Sequence, residues 1–185
     1  MNVYVALLHF PVYNKNSEVV TTCVAGFDLH DIARVCCTYG IKKYYVVNPI
    51  SAQRQFAERV LDHWKKEESL QFNPTRAEAF NLVSIMPDLK QVVEEISKRS
   101  GQPVVVATSA RKKGSYSYSK LRSEMEKSKR PYLILFGTGW GMCEEVIDGA
   151  DIVLSPIEGR TGYNHLSVRS AAAIILDRLF AIKEK

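Results

Sequence analysis

Several short stretches of this chain are apolar at nearly every position rather than at every second one: 2–10, 43–47, 103–107, 132–136 and 151–155. A strand with one face in water alternates polar and apolar residues. A continuously apolar strand needs cover on both faces, as inside a parallel sheet. Between these stretches the apolar spacing turns helical. Asp28 is placed to cap a helix over 28–39, with Ile32, Val35, Cys36 and Tyr39 as its inner stripe and Gly40 at its end. Pro49 and Ser51 open a second helix, along which Phe56, Val60 and Trp64 recur every four residues. Pro87 and Asp88 open a third, with Leu89, Val92, Val93 and Ile96 inward and Gly101 closing it. Helices are also expected over 119–127, 141–148 and 164–181, the last capped by Asn164, and a further strand over 79–85. Residues 11–22 read as a loop or a short hairpin, and 66–78 as polar and irregular. Strand and helix alternate throughout. The pattern predicts one α/β domain over 1–185, a mostly parallel sheet with helices on both faces.

Two loops then draw the eye. Phe136-Gly137-Thr138-Gly139-Trp140-Gly141 follows one buried strand, and Ser155-Pro156-Ile157-Glu158-Gly159-Arg160-Thr161-Gly162-Tyr163-Asn164 follows another. Ligands of open α/β sheets bind at the carboxyl ends of strands, and glycines let a ligand approach the backbone. The first loop is not a dinucleotide fingerprint, because Met142 stands where G-x-G-x-x-G needs its last glycine. No Gly-Lys-Ser/Thr follows it, which argues against a phosphate-loop NTPase.

Charge adds a second constraint. The net charge is +5, yet residues 111–130 alone hold eight Lys or Arg against Glu124 and Glu126. Tyr116 and Tyr118 sit within that stretch. A basic loop carrying aromatics suits a phosphate backbone with stackable bases; a solvated loop followed by a charged helix face is the alternative. The four cysteines form no CxxC pair and read as buried free thiols of a reducing cytoplasm, with no metal site among them. No apolar run approaches the length of a membrane helix. The stretch from Leu166 to Leu179 is apolar nearly all round and requires burial on more than one side, hence a subunit interface.

Gly137-Thr138-Gly139-Trp140-Gly141, Pro156-Ile157-Glu158-Gly159 and the run from Tyr163 to Ile174 resemble the last two motifs of the SPOUT superfamily of RNA methyltransferases. Asp31-Ile32-Ala33-Arg34 with Tyr39-Gly40-Ile41 and Pro49 is similar to the first motif of its ribose-methylating branch. The resemblance implies S-adenosylmethionine as cofactor, a C-terminal trefoil knot, a homodimer through the last helix and the knot, and a tRNA or rRNA substrate. Carried over residue by residue, it implies that Phe136, Gly137, Thr138, Gly139, Gly141, Leu154, Ser155, Pro156 and Ile157 hold the cofactor. Tyr163, Asn164, His165 and Leu166 would close the pocket and Thr108 would line it.

Catalysis is expected from Arg34 with Asp31, where Arg34 acts on the target or simply pairs with Asp31; His30 is an alternative. Arg111, Lys112, Lys113, Arg160 and Arg169 are expected to meet RNA, Arg169 alternatively bridging two subunits. His9 and His63 read as structural. The competing functions are an inactive RNA-binding module on the same scaffold and an unrelated nucleotide-binding α/β protein.

Overall fold

The computed structural model describes residues 2–66, 71, 73–111 and 116–182. Six parallel strands form the main sheet: β1 (Val3–Leu8), β4 (Lys43–Val47), β5 (Val83–Met86), β6 (Val104–Ala107), β7 (Tyr132–Gly137) and β8 (Ile152–Val153). Their order is β5-β4-β1-β7-β6-β8. The register is regular, with Leu7 opposite both Val46 and Phe136. Two short strands, β2 (Val12–Tyr13) and β3 (Val19–Val20), make an antiparallel hairpin directly after β1. Every residue of β1 is buried, as its unbroken apolar run requires.

The helices divide unequally between the two faces. One face carries α1 (Gly26–Thr38), α2 (Ser51–Lys65), α3 (Pro74–Phe80), α5 (Tyr118–Lys127) and α7 (Val168–Phe180). Leu29, Ile32, Leu61, Phe80, Leu121, Ile175 and Leu176 meet Val5, Leu7, Tyr44 and Ile134 there. The other face carries α4 (Leu89–Ser100) and α6 (Glu144–Asp148), through Val92, Ile96 and Ile147 packed on Ala6, Leu8, Tyr45 and Leu135. Asp88 caps α4 by accepting from Gln91 N at 2.8 Å, and Gly101 ends it at φ +88°.

Several local readings change. Asp28 is not a cap: Ala25 holds that position without a side-chain bond, and Asp28 lies buried in the first turn. Residues 79–85 divide between the end of α3 and the start of β5, because Pro74 at N1 and Asn73 as cap start a helix inside the polar stretch. Along α2 it is Ala57 and Leu61 that are buried, and Phe56 points outward. Helix α7 starts four residues later than expected. Its cap is Ser167, which accepts from Ser170 N at 3.3 Å. One side of α7 is buried (Ala172, Ile175, Leu176, Leu179), and Ala171, Ala173 and Ile174 stay half-covered. Cys36 and Cys143 are buried thiols, whereas Cys23 is exposed.

Candidate functional site

A cavity of about 900 Å³ opens at the carboxyl ends of β6, β7 and β8. Residues 108–111, 136–142 and 155–157 supply three walls, and 164–169 with Asp28 and Tyr13 complete it. The glycine loop is shaped by its backbone. Gly139 has φ +57° and Gly141 φ +100°, both in the left-handed region. The hairpin pins the loop from outside: Trp140 N donates to Tyr13 O and Tyr13 N to Gly141 O, each at 2.9 Å. A Cβ on Gly139 would lie 2.8 Å from Tyr13 O. The hairpin's approach is thus enough by itself to require glycine at 139.

Behind the loop runs a buried relay. Thr138 Oγ1 donates to Leu8 O at 3.1 Å. Each hydroxyl has one proton, so Thr22 must donate to Thr138 (2.5 Å) and accept from His9 Nδ1–H (2.9 Å). His9 is therefore the Nδ1–H tautomer, with Nε2 buried and unpartnered. Burial pulls its imidazole down from 6.5 to about 4, consistent with a neutral ring. The Thr108 hydroxyl is likewise spent inside the protein, donating to Leu135 O at 2.8 Å.

The charged wall comes from two distant helices. Arg169, at the start of α7, places Nη1 2.9 Å from Asp28 Oδ1 and Nε 3.4 Å from Asp31 Oδ2. Asp28 is 6% exposed and both it and Arg169 line the cavity. Burial raises the Asp28 carboxyl above its ordinary range, against the pull of the Arg169 guanidinium. In the sequence Asp28 reads as a cap rather than as a site residue. The signal for a site role was its place four residues before Ile32, on the buried stripe, where a carboxylate demands a cation.

The other expected residues fall into two groups. Thr108, Arg111, Phe136, Gly137, Thr138, Gly139, Gly141, Ser155, Pro156, Ile157, Asn164, His165, Leu166 and Arg169 all line the cavity. Leu154 is fully buried in the main core, behind the lining, and Tyr163 is 70% exposed beside it. Arg34 is exposed and lines no part of the cavity, and Asp31 pairs with Arg169 rather than with Arg34. His30 packs its ring against Phe80 and Trp64, away from the cavity. Arg160 is exposed, and Lys112 and Lys113 lie outside the described residues. Asn164, expected as a cap, instead donates from Nδ2 to Ala110 O at 2.9 Å.

The lining fits an adenosine-type cofactor with a short charged tail. It joins apolar walls (Phe136, Ile157, Leu166) to loop backbone, with the Thr108 and Thr138 hydroxyls already bonded elsewhere and one half-buried ion pair. A family model described as SAM-dependent RNA methyltransferase matches residues 2–181. An uncharacterized protein of Aquifex aeolicus is 46% identical over 182 residues, covering 97% of this chain and 89% of its own length. A protein of Nitratidesulfovibrio vulgaris named tRNA (guanine-N(1)-)-methyltransferase is 43% identical over 179 residues, 96% of this chain but 42% of that protein. This chain thus spans less than half of that relative. The SpoU methyltransferase AviRb of Streptomyces viridochromogenes has a similar fold, with TM-score 0.59 at 15% identity over 96% of this chain and 58% of that one.

Proposed function

The chain belongs to the SAM-dependent RNA methyltransferase family, and we propose that it methylates a tRNA or rRNA nucleotide in the cavity at the ends of β6, β7 and β8. The observation that carries this placement is the pair of buried Asp28 with half-buried Arg169, which opens onto the same cavity as the glycine loop. When bound, S-adenosylmethionine supplies an electrophilic methyl group together with its own leaving group. The protein then has to position, shield and accept a proton. Residues 136–139, Gly141 and 155–157, with Thr108, Asn164, Leu166 and the backbone of His165, hold the cofactor through backbone groups and apolar contacts. Asp28 takes the proton of the methyl acceptor. Its burial raises its proton affinity, and Arg169 keeps it ionised beforehand. Asp31 steadies Arg169 from its other side. Asp28 and Arg169 thus take the target-side role that the resemblance suggested for Arg34.

The N. vulgaris relative favours tRNA as the RNA class. Its guanine-N1 specificity is not carried over, since the match covers 42% of that protein. A homodimer through α7 is supported by the half-covered Ala171, Ala173 and Ile174. For the knot, the support is contact between the chain after β6 and the chain after β8: Ala110 O accepts from Asn164 Nδ2 and Tyr116 O from Ser155 N. A cytoplasmic setting follows from the RNA substrate, and no described helix is long and apolar enough to cross a membrane.

Calorimetry with S-adenosylmethionine tests the assignment. One site per subunit is expected, and no heat at millimolar cofactor would remove it. Labelled-methyl transfer into RNA from a strain lacking the protein, followed by nucleoside mass spectrometry, identifies the product.

A further inference from the structure

At the mouth of the cavity, three rings stand in a row on the solvent side. Trp140 is 50% exposed and Tyr163 70% exposed. His165 lies between them, its ring centroid 6.5 Å from Trp140 and 5.8 Å from Tyr163, tilted 63° and 67° to them. Arg111 Cζ sits 5.4 Å from the centre of the Trp140 ring. Exposure of one large aromatic is ordinary; a contiguous set beside a guanidinium at a cavity rim is not.

The backbone shows that Trp140 is held outward. It lies between two positive-φ glycines, its N–H is bonded to Tyr13 O, and Gly141 N donates to Thr138 O at 3.0 Å. The turn is therefore fixed, and the indole it carries stands half exposed at the cavity mouth. The tilted packing leaves aromatic area open on Trp140 and Tyr163. Every nucleobase has a face that stacks on such rings, and a guanidinium adds attraction for the phosphate beside it.

Resting on the reading that the cavity holds the methyl donor, we infer that Trp140, His165, Tyr163 and Arg111 form a stacking platform for an unpaired base of the RNA target, next to the nucleotide being methylated. A paired and stacked base cannot lie on such rings. The platform selects single-stranded or extruded nucleotides and leaves base identity to other contacts.

The test uses the full chain and a fluorescein-labelled single-stranded oligoribonucleotide, free or annealed to its complement. In a Trp64→Phe background Trp140 is the sole indole reporter. The single strand should quench it and the duplex should not. Tyr163→Ala and Trp140→Ala should each weaken single-strand binding about five- to a hundredfold. Tyr163→Phe, which keeps the ring, should restore it. Equal affinity of the alanine variants and the parent, or equally tight binding of the duplex, overturns the proposal. So does a changed oligomeric state in sedimentation with RNA affinity intact, which would make the rings a contact between copies. Cofactor heat is measured alongside. Its absence from the parent, with RNA binding still lost in Tyr163→Ala, would refute the cavity assignment and leave the platform standing.

Discussion

At the carboxyl ends of β1 and β4 the chain turns polar side chains inward and closes the sheet; at those of β6, β7 and β8 it places glycine, proline and small residues and leaves a cavity. On the closed side His9 and Asn48 are fully buried. Asn48 Nδ2 donates to Thr22 O at 3.0 Å and its Oδ1 accepts from Ile50 N at 2.9 Å. Arg54 covers what is left, donating to Asn48 O and Pro49 O at 2.9 and 2.6 Å. On the open side the hydroxyls of Thr108 and Thr138 are bonded backward into the strands, leaving loop backbone and the Asp28–Arg169 pair toward the cavity. Parallel strands end alike in backbone terms. The side chains that follow them decide which ends become a site. The two halves are also joined, since the relay from His9 through Thr22 to Thr138 lets the closed half brace the open one.

The largest expected effect tests what is special to the open half. Asp28→Asn should lower the methyl-transfer rate by roughly 10²- to 10⁴-fold, far more than it lowers cofactor affinity in calorimetry. A near-parental rate would move the proton acceptor elsewhere. Next comes the seam between hairpin and loop. Gly139→Val forces a β-branched residue into φ +57° and against Tyr13 O. Strain of about 1–3 kcal/mol, with the hairpin pushed off, should cost cofactor affinity about ten- to a hundredfold. Parental affinity would mean that the pinning is dispensable.

The closed half should report through pH. The folded pKa of His9 is depressed from 6.5 to about 4. Its contribution is complete above the unfolded value and is lost as pH falls through the folded one, because the unfolded chain binds the extra proton. Unfolding free energy should therefore fall by about 3 kcal/mol between pH 6.5 and 4. His30, also lowered by burial, adds in the same direction. Denaturant titrations should show a shallower acid slope in His9→Gln; an unchanged slope would assign the acid sensitivity to other groups. The smallest effect tests the connection itself. Thr138→Val leaves Leu8 O with only the Thr138 backbone N–H and the Thr22 hydroxyl without its acceptor, and should cost about 1–3 kcal/mol in thermal unfolding. A variant as stable as the parent would make the two halves independent.

Much of the scaffold was readable in advance, for reasons visible in particular residues. The Val92/Ile96 stripe, the Asp88 cap and Gly101 all act within a few positions along the chain. The glycine loop stood out because backbone shape there needs residues without a Cβ. The start of α7 was misplaced because Asn164 and Ser167 are both acceptable caps, and the bond from Asn164 to Ala110, 54 positions away, left the capping to Ser167. Asp28 was misread because a capping acid and a buried acid look alike until their partner is known.

From the sequence alone came the α/β class, the strands that need cover on both faces, the glycine loop and the motifs that place the chain in its family. These rest on periodicity, local dihedral preference and the order of residues in short segments. Tertiary structure alone decided that Arg169 meets Asp28 across 141 positions and Thr22 meets Thr138 across 116. It also decided which strand ends stay open. Those pairings depend on the order β5-β4-β1-β7-β6-β8, which brings distant segments together by closing long loops, and no local propensity encodes which distant segments will meet.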